Sequence, residues 1–395
     1  LEGEVKKQGT KKRRNKKAGF ILTIVLVVAV ILLVVITAAQ KLGNMTITTM
    51  TSDVRAYFMS IGSGGGFPYS IKSDTVKDIK INKSNLVFLL NDKTVTLTSS
   101  AKEIMPQAHS YANPVMKTCG SKMIVYDLDS GKFRVQNGTE IVKEYELDNK
   151  IMAADIGKSG NYAVGTYDSS VQSVLTVYGK THKEDFIWNF KTERIMDISL
   201  SDNGKYAAVA TVQSNNGTIN SKLYVFDFKS EQYVSCFEYN GTTLVRVNYI
   251  RSNNIVALGD NLRSYIENNT NRHDDESFNS DILHNYCVND DGTSAIVLSK
   301  YGSTSLSSLT VYSNKNVVKF TVSFDKEMKW VDCDGKYTAV LFDNEVRTYD
   351  KSGKQIGSIM FSGEPVRVAV NGNKTYVLTS VSVKCYNTKG TTDDR

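Results

Sequence analysis

Proline is scarce, with 4 in a chain of 395 residues, against 21 tyrosines and 15 phenylalanines. That excludes a proline-rich or collagen-like chain and suits strands, where aromatic residues are favoured. Cysteine is almost as rare: Cys119, Cys236, Cys287, Cys333 and Cys385 are an odd number with no C-x-x-C spacing. A disulfide framework belongs to small secreted domains, so the five are read as buried structural thiols. The four histidines, His109, His182, His273 and His284, are widely separated and form no H-E-x-x-H. No metal-ligand pairing is expected from them.

An excess of one charge sign is also missing once the N-terminus is set apart. The net charge is +7, but residues 1–17 hold eight Lys/Arg and two Glu, leaving 40 basic and 39 acidic side chains for the rest. A near-neutral body gives no electrostatic reason to expect nucleic acid as a partner. Long 3.6-period amphipathic stretches are absent too, while 41% hydrophobic and 23% charged residues place the chain in the globular range.

One long apolar run is present. Ala18 to Ala39 is 22 residues without a charge, interrupted only by Thr23 and Thr37. As a helix it would span roughly 33 Å, against a hydrocarbon core of about 30 Å. Lys6, Lys7, Lys11, Lys12, Arg13, Arg14, Lys16 and Lys17 precede it, and only Lys41 follows before Arg55. The positive-inside rule then predicts a cytoplasmic N-terminus and everything after residue 40 outside the plasma membrane. A cleaved signal peptide ending near Thr37-Ala38-Ala39 is the alternative. Signal cores run to about 7–15 residues, so an uncleaved single-pass anchor is preferred. No G-x-x-x-G motif marks the segment for helix pairing, and a monomer is expected.

The remainder is short apolar runs broken by Gly, Asn, Asp and Ser, and it repeats. One unit reads apolar strand, polar turn, apolar strand: Asp155-IGKSGNYAVGTY, Asp197-ISLSDNGKYAAVAT, Asn285-YCVNDDGTSAIVLS, Trp330-VDCDGKYTAVLF and Val366-RVAVNGNKTYVLTS. A third strand ending in an aromatic follows (Leu175-TVYG, Leu223-YVFD, Leu309-TVYS, Val346-RTYD, Val383-KCYN), then a fourth such as Phe186-IWNF or Tyr233-VSCFEY. Four strands per unit of about forty residues is the pattern of a propeller blade. Turn anchors at residues 83, 120, 160, 204, 254, 292, 335 and 373 predict eight blades, with seven as the alternative. The last unit has only three strands, and Gly66-FPYSIK is the expected donor of the fourth, because an open blade would expose an unpaired edge. The fold class is therefore an all-β propeller ectodomain with one N-terminal transmembrane helix. Its expected divisions are a basic cytoplasmic tail (1–17), the helix (18–39), a stalk with a glycine hinge at Gly62-SGGG (40–66), the propeller (67–390) and a short tail (391–395).

The Ser201-Asp202-Asn203-Gly204-Lys205-Tyr206 turn is similar to the S-x-D-G-K turn of WD40-like and other bacterial propellers, although the Gly-His and Trp-Asp landmarks of true WD40 repeats are absent. The architecture this resemblance implies is of the general WD40-like and quinoprotein-like kind. Over nearly the whole chain the sequence resembles a Firmicutes family known as domain of unknown function 5711. The resemblance rests on the basic tail, the apolar segment, Gly66-Phe67-Pro68, His109-Ser110-Tyr111-Ala112-Asn113-Pro114-Val115, and Val125-Tyr126-Asp127 before a glycine turn. It implies a membrane-anchored, propeller-like protein of the bacterial envelope and supplies no activity. Asp129-Ser130-Gly131 departs from the double-glycine turn that the family leads one to expect.

Gly157-Lys158-Ser159 and Gly179-Lys180-Thr181 imitate a P-loop tail but lack the upstream glycine and open no helix. No G-x-S-x-G occurs, and Ser99-x-x-Lys102 and Ser323-x-x-Lys326 have no companion motifs. Asp290-Asp291-Gly292 and Asp332-Cys333-Asp334-Gly335 resemble calcium-loop fragments without the closing Glu, and read as hairpin turns. The longest polar insertion, Glu267-NNTNRHDDESFNSD, is expected to be a solvated loop. Its Glu267, His273, Asp274, Asp275, Glu276 and Asp281 are the alternative candidates for a divalent-cation or partner site. No catalytic residue and no cofactor are assigned. The expected role is a binding or scaffolding module that presents its loops, including Ser214-NNGTINSK, to an envelope protein or cell-wall component. The alternative is an enzyme (hydrolase, lyase or quinone-type dehydrogenase) working from the central channel. Convergent charged residues there would favour catalysis, and a Ser/Asn/aromatic lining would favour recognition.

Overall fold

The computed structural model describes residues 64–390, apart from 72–75, 83–84, 216, 271 and 301–302, together with Leu26 and Val30. The chain divides into two units, Leu1–Val54 and Arg55–Arg395. In the first, Leu26 and Val30 are helical; the rest of the expected membrane helix, with the tail and most of the stalk, lies outside the described residues. No described helix is long and apolar enough to cross a membrane.

Among its described residues the second unit contains 32 strands in eight antiparallel sheets of four. A short strand, β1 (Tyr69–Ser70), comes first. Blade 1 is β2 (Asp78–Asn82), β3 (Asn85–Leu89), β4 (Lys93–Leu97) and β5 (Glu103–Ala108). Blade 2 is β6 (Pro114–Cys119), β7 (Lys122–Asp127), β8 (Lys132–Asn137) and β9 (Glu140–Glu146). Blade 3 is β10 (Ile151–Ile156), β11 (Tyr162–Tyr167), β12 (Ser173–Tyr178) and β13 (Glu184–Phe190). Blade 4 is β14 (Arg194–Leu200), β15 (Tyr206–Asn215), β16 (Thr218–Asp227) and β17 (Tyr233–Asn240). Blade 5 is β18 (Leu244–Ile250), β19 (Asn254–Gly259), β20 (Leu262–Ile266) and β21 (His273–Ser277). Blade 6 is β22 (Ile282–Val288), β23 (Ser294–Lys300), β24 (Ser303–Tyr312) and β25 (Val318–Phe324). Blade 7 is β26 (Trp330–Cys333), β27 (Thr338–Leu341), β28 (Glu345–Tyr349) and β29 (Gln355–Met360). Blade 8 is β30 (Pro365–Asn371), β31 (Lys374–Thr379) and β32 (Ser382–Asn387), completed by β1.

Closure follows the expectation from Gly66-FPYSIK. Tyr69 pairs with Val383 and Ser70 with Ser382, and the Ile71 N–H donates to Val381 O at 2.9 Å. Just upstream, the Gly64 and Gly66 N–H groups donate to Ser100 Oγ and Ser100 O, each at 3.3 Å, so these glycines lie against blade 1.

Packing explains the apolar runs. Among the described residues the core forms eight clusters, one at each junction between neighbouring blades, the junction of blades 8 and 1 included. Strand residues alternate between two clusters. In β15, Ala207 and Val209 pack toward blade 3, while Ala208 and Ala210 pack toward blade 5. A strand covered on both faces reads as an unbroken apolar run, as YAAVA does. The turn joining the first and second strand of a blade is tight. Gly160, Gly204 and Gly335 adopt φ of +94°, +69° and +80°, where a side chain is strained. These turns define a glycine-turn face of the ring. The hairpins between second and third strands define the opposite, hairpin face.

Candidate functional site

Each blade's first strand pairs with a neighbour on one edge only, so its other edge would leave backbone N–H groups unpaired beside the channel. Side chains from the preceding blade fill that need. Asp155 Oδ2 accepts from Leu200 N at 2.8 Å, Asp197 Oδ2 from Val247 N at 3.0 Å, and Ser199 Oγ from Tyr249 N at 2.9 Å. Farther round, Asp332 Oδ2 accepts from Val370 N at 2.8 Å and Asp334 Oδ2 from Gly372 N at 2.6 Å. Between blades 6 and 7 the acceptor is a sulfur: Cys333 N donates to Cys287 Sγ at 3.3 Å.

The same carboxylates meet cations. Lys117 Nζ donates to Asp197 Oδ1 at 2.8 Å, and Arg246 Nη1 lies 3.6 Å from Asp197 Oδ2. Arg246 Nε also donates to Asn248 Oδ1 at 2.7 Å. Lys117 and Asp197 are largely buried, with side chains 13% and 8% exposed. Burial pushes the Asp197 carboxyl up, but Lys117 and Arg246 outweigh it and hold the group below its ordinary value. Burial, reinforced by Arg246, pushes the Lys117 amine down. Asp155 lies near the same cations; burial dominates and raises it to about 6. Burial likewise raises Asp332 to about 6, opposed by its bond from Val370 N–H. Lys117, Asp155, Asp197 and Arg246, from blades 2, 3, 4 and 5, therefore make a matched set of two cations and two carboxylates. Charged residues do converge in the channel, as catalysis would require, yet those of the Asp197 cluster are bound to one another and to the frame.

Two arginines in third strands act in a related way. Arg134 and Arg263 are both 0% exposed. Arg134 donates to Gln107 O at 3.0 Å, Ala108 O at 2.5 Å and Thr94 Oγ1 at 3.1 Å, clasping blade 2 to blade 1. Arg263 donates to Gly292 O and Ser294 Oγ, each at 3.3 Å, to Ser313 O at 3.2 Å, and to Asn316, clasping blade 5 to blade 6. Burial brings the Arg263 guanidinium down to about 10. Sequence reasoning missed both, although a lone charge inside an otherwise apolar strand such as KFRVQ was the available signal. At the outer end of blade 7, Glu345 accepts from Lys326 (2.5 Å), Arg347 Nε (2.8 Å) and Ser358 Oγ (2.8 Å). These bonds, Arg347 foremost, hold it down at about 2.

The polar insertion after Glu267 is not a loop, contrary to expectation. His273–Ser277 is β21, the outer strand of blade 5, with Ile266 opposite His273 and Leu262 opposite Ser277. An outer strand needs little apolar content because it packs on one edge of its sheet, and Phe278, 3% exposed, fixes its end. The candidate ligands do not converge. Glu267 is in the preceding turn, His273 and Asp275 share one side of β21 with 3.6 Å between Nε2 and Oδ2, and Asp274 and Glu276 take the other side. Asp281 is bonded to Lys300 at 2.7 Å. Among the described residues no three His, Cys, Asp or Glu are grouped to hold a metal. The second expected loop, after Ser214, is instead the β15–β16 hairpin, paired from Tyr206–Asp227 to Asn215–Thr218. The calcium-like fragments are turns: Asp291 Oδ1 accepts from Thr293 N at 2.8 Å, and Asp334 Oδ1 from Lys336 N and Tyr337 N at 2.9 and 2.8 Å.

Exposed apolar side chains occur on both faces: Tyr233, Val234, Val317 and Val318 lie where fourth strands begin, on the glycine-turn face, and a larger set lies on the hairpin face. Met196, Ile219, Ile282, Leu306, Met360 and Val381 sit at strand ends or hairpins on that side, with exposures from 38% to 62%.

In comparisons with solved structures, the chain is similar to Sqt1 of Saccharomyces cerevisiae, with 11% identity and a TM-score of 0.58 over 82% of this chain and 99% of that one. It is similar to the C-terminal WD40 domain of Sif2, with 14% identity and a TM-score of 0.57 over 80% and 98%. It is also similar to Chaetomium thermophilum Sqt1 bound to the N-terminus of the ribosomal protein L10, with 13% identity and a TM-score of 0.52 over 77% and 93%. At such identities the likeness is one of fold. No curated protein matches the sequence. The model of a family of unknown function, DUF5711, matches residues 69–392, the whole ring from its closing strand to its last blade, and the chain belongs to that family.

Proposed function

We propose that the ring is a binding module that holds a protein partner on its hairpin face, on the outer side of a bacterial plasma membrane. The observation that carries this reading is the commitment of the channel's Asp197 cluster: both Asp197 oxygens are taken by Lys117, Arg246 and Val247 N–H, which makes the centre a frame. Recognition then falls to the rim, where Ile219, Ile282 and Leu306 stand exposed on one face. A solved neighbour of this fold holds a peptide of another protein, in keeping with that use of a ring. The outer location rests on the sequence, on the apolar Ala18–Ala39 run and the basic residues before it.

Photo-crosslinking amino acids placed at Ile219, Ile282 and Leu306 in the full chain, in intact cells, test the reading. Adducts to one protein are expected from these positions and not from Lys205 on the glycine-turn face. Adducts from Lys205 alone would overturn the choice of face, and none from any position would overturn the binding role. Protease added outside the cells is expected to digest the ring; full protection would overturn the location.

A further inference from the structure

Among the described residues, five of the inner-edge acceptors named above that bridge one blade to the next are oxygens and one is a sulfur. Cys287 lies on β22 of blade 6 and Cys333 on β26 of blade 7, and Cys333 N–H donates to Cys287 Sγ. The two sulfurs lie 3.2 Å apart. Cys287 Sγ also stands 3.3 Å from Asp332 Oδ1, to which its thiol donates. Cys333 is buried at 6% exposure, whereas Cys287 is half-buried. The other three cysteines, Cys119, Cys236 and Cys385, are placed in blades 2, 4 and 8.

We propose that Cys287 and Cys333 form a disulfide that staples blade 6 to blade 7, with a small-molecule disulfide as oxidant. Cys287, the more accessible thiol, attacks the oxidant as its proton passes to the departing small thiolate. One sulfur–sulfur bond breaks, a mixed disulfide forms and one small thiol leaves. Cys333 then attacks the Cys287 sulfur, releasing the second small thiol and losing its own proton. The protein gives up two electrons and two protons, and the oxidant takes both as two thiols. The sulfurs need to close by about 1.1 Å to reach a bond of about 2.05 Å. Once closed, Cys287 no longer donates to Asp332, which keeps its bond from Val370 N–H. The staple lies at a junction inside the ring, so it opposes opening of the ring between blades 6 and 7.

The test uses the full chain in detergent, incubated with oxidised glutathione, then denatured and titrated with a thiol reagent. The five thiols are expected to fall to three, with a peptide map joining the Cys287 and Cys333 peptides. The melting temperature of the oxidised protein should rise by about 5 °C and return on reduction. Cys287→Ser should keep its remaining four thiols titratable, Cys333→Ser should stop at the mixed disulfide with three thiols titratable and one glutathione bound to Cys287, and Cys236→Ser should still lose two. Five thiols remaining in the wild-type chain, or a bond mapped to any other pair, would overturn the proposal whether or not the serine variants fold.

Discussion

Asp197 gathers two cations and a backbone amide, so its removal leaves the buried Lys117 without its ion-pair partner and Arg246 with only its bond to Asn248. Asp197→Ala is expected to cost about 3–5 kcal/mol in denaturant unfolding of the full chain, with the double variant Asp197→Ala/Lys117→Met recovering part of it. Gln136 is the opposite case. It is 1% exposed and neither amide atom has a protein partner. Gln136→Leu keeps the volume and removes the desolvated amide, so it should be neutral or stabilising by up to about 1 kcal/mol. A measured loss above about 1 kcal/mol would show that the amide is satisfied. The polar letters within the strands DISLS and KFRVQ mark both positions as unusual but name no partner for either. A side chain's role in the channel depends on partners about 50–80 positions away in the chain, and strand periodicity carries no such information.

Burial of the inner-edge carboxylates gives the first strands a shared dependence on pH. Asp155 and Asp332 are raised from 3.8 to about 6. Each therefore contributes stability that is complete below 3.8 and lost as pH rises through about 6. Glu345, lowered from 4.5 to about 2, works the other way: its contribution is present above 4.5 and lost as pH falls through about 2. Melting temperature should thus rise on acidification from pH 7, peak at about pH 4, and fall below. The double variant Asp155→Asn/Asp332→Asn should flatten the rise from pH 7 and leave the fall at low pH. The strands that carry these groups were legible from their turn glycines and aromatic ends. The outer strand β21 was not, since HDDES has no apolar alternation and is held by its edge bonds to β20 and by Phe278.

For the ring as a whole, closure rests on two residue pairs and one further bond at β1, against a complete ladder in the other blades. Replacing residues 64–71 with an unrelated Gly/Ser sequence should free the edge of β32 and the apolar junction of blades 8 and 1. The expected outcome is fast hydrogen exchange over 365–387 and a tendency to associate in size-exclusion chromatography. Unchanged exchange there would show that three strands suffice to close blade 8.

The repeat, the three-strand last unit and its donor segment were legible in the sequence, which left the blade number at eight or seven, because each blade is a local object built from turns and strands that neighbour one another in the chain. Only the tertiary structure decided which charges would meet. Bending eight such units into a circle brings Lys117 to Asp197, Arg134 to the carbonyls of blade 1, and Cys287 to Cys333. Those encounters depend on the radius and register of the closed ring, which no single repeat contains.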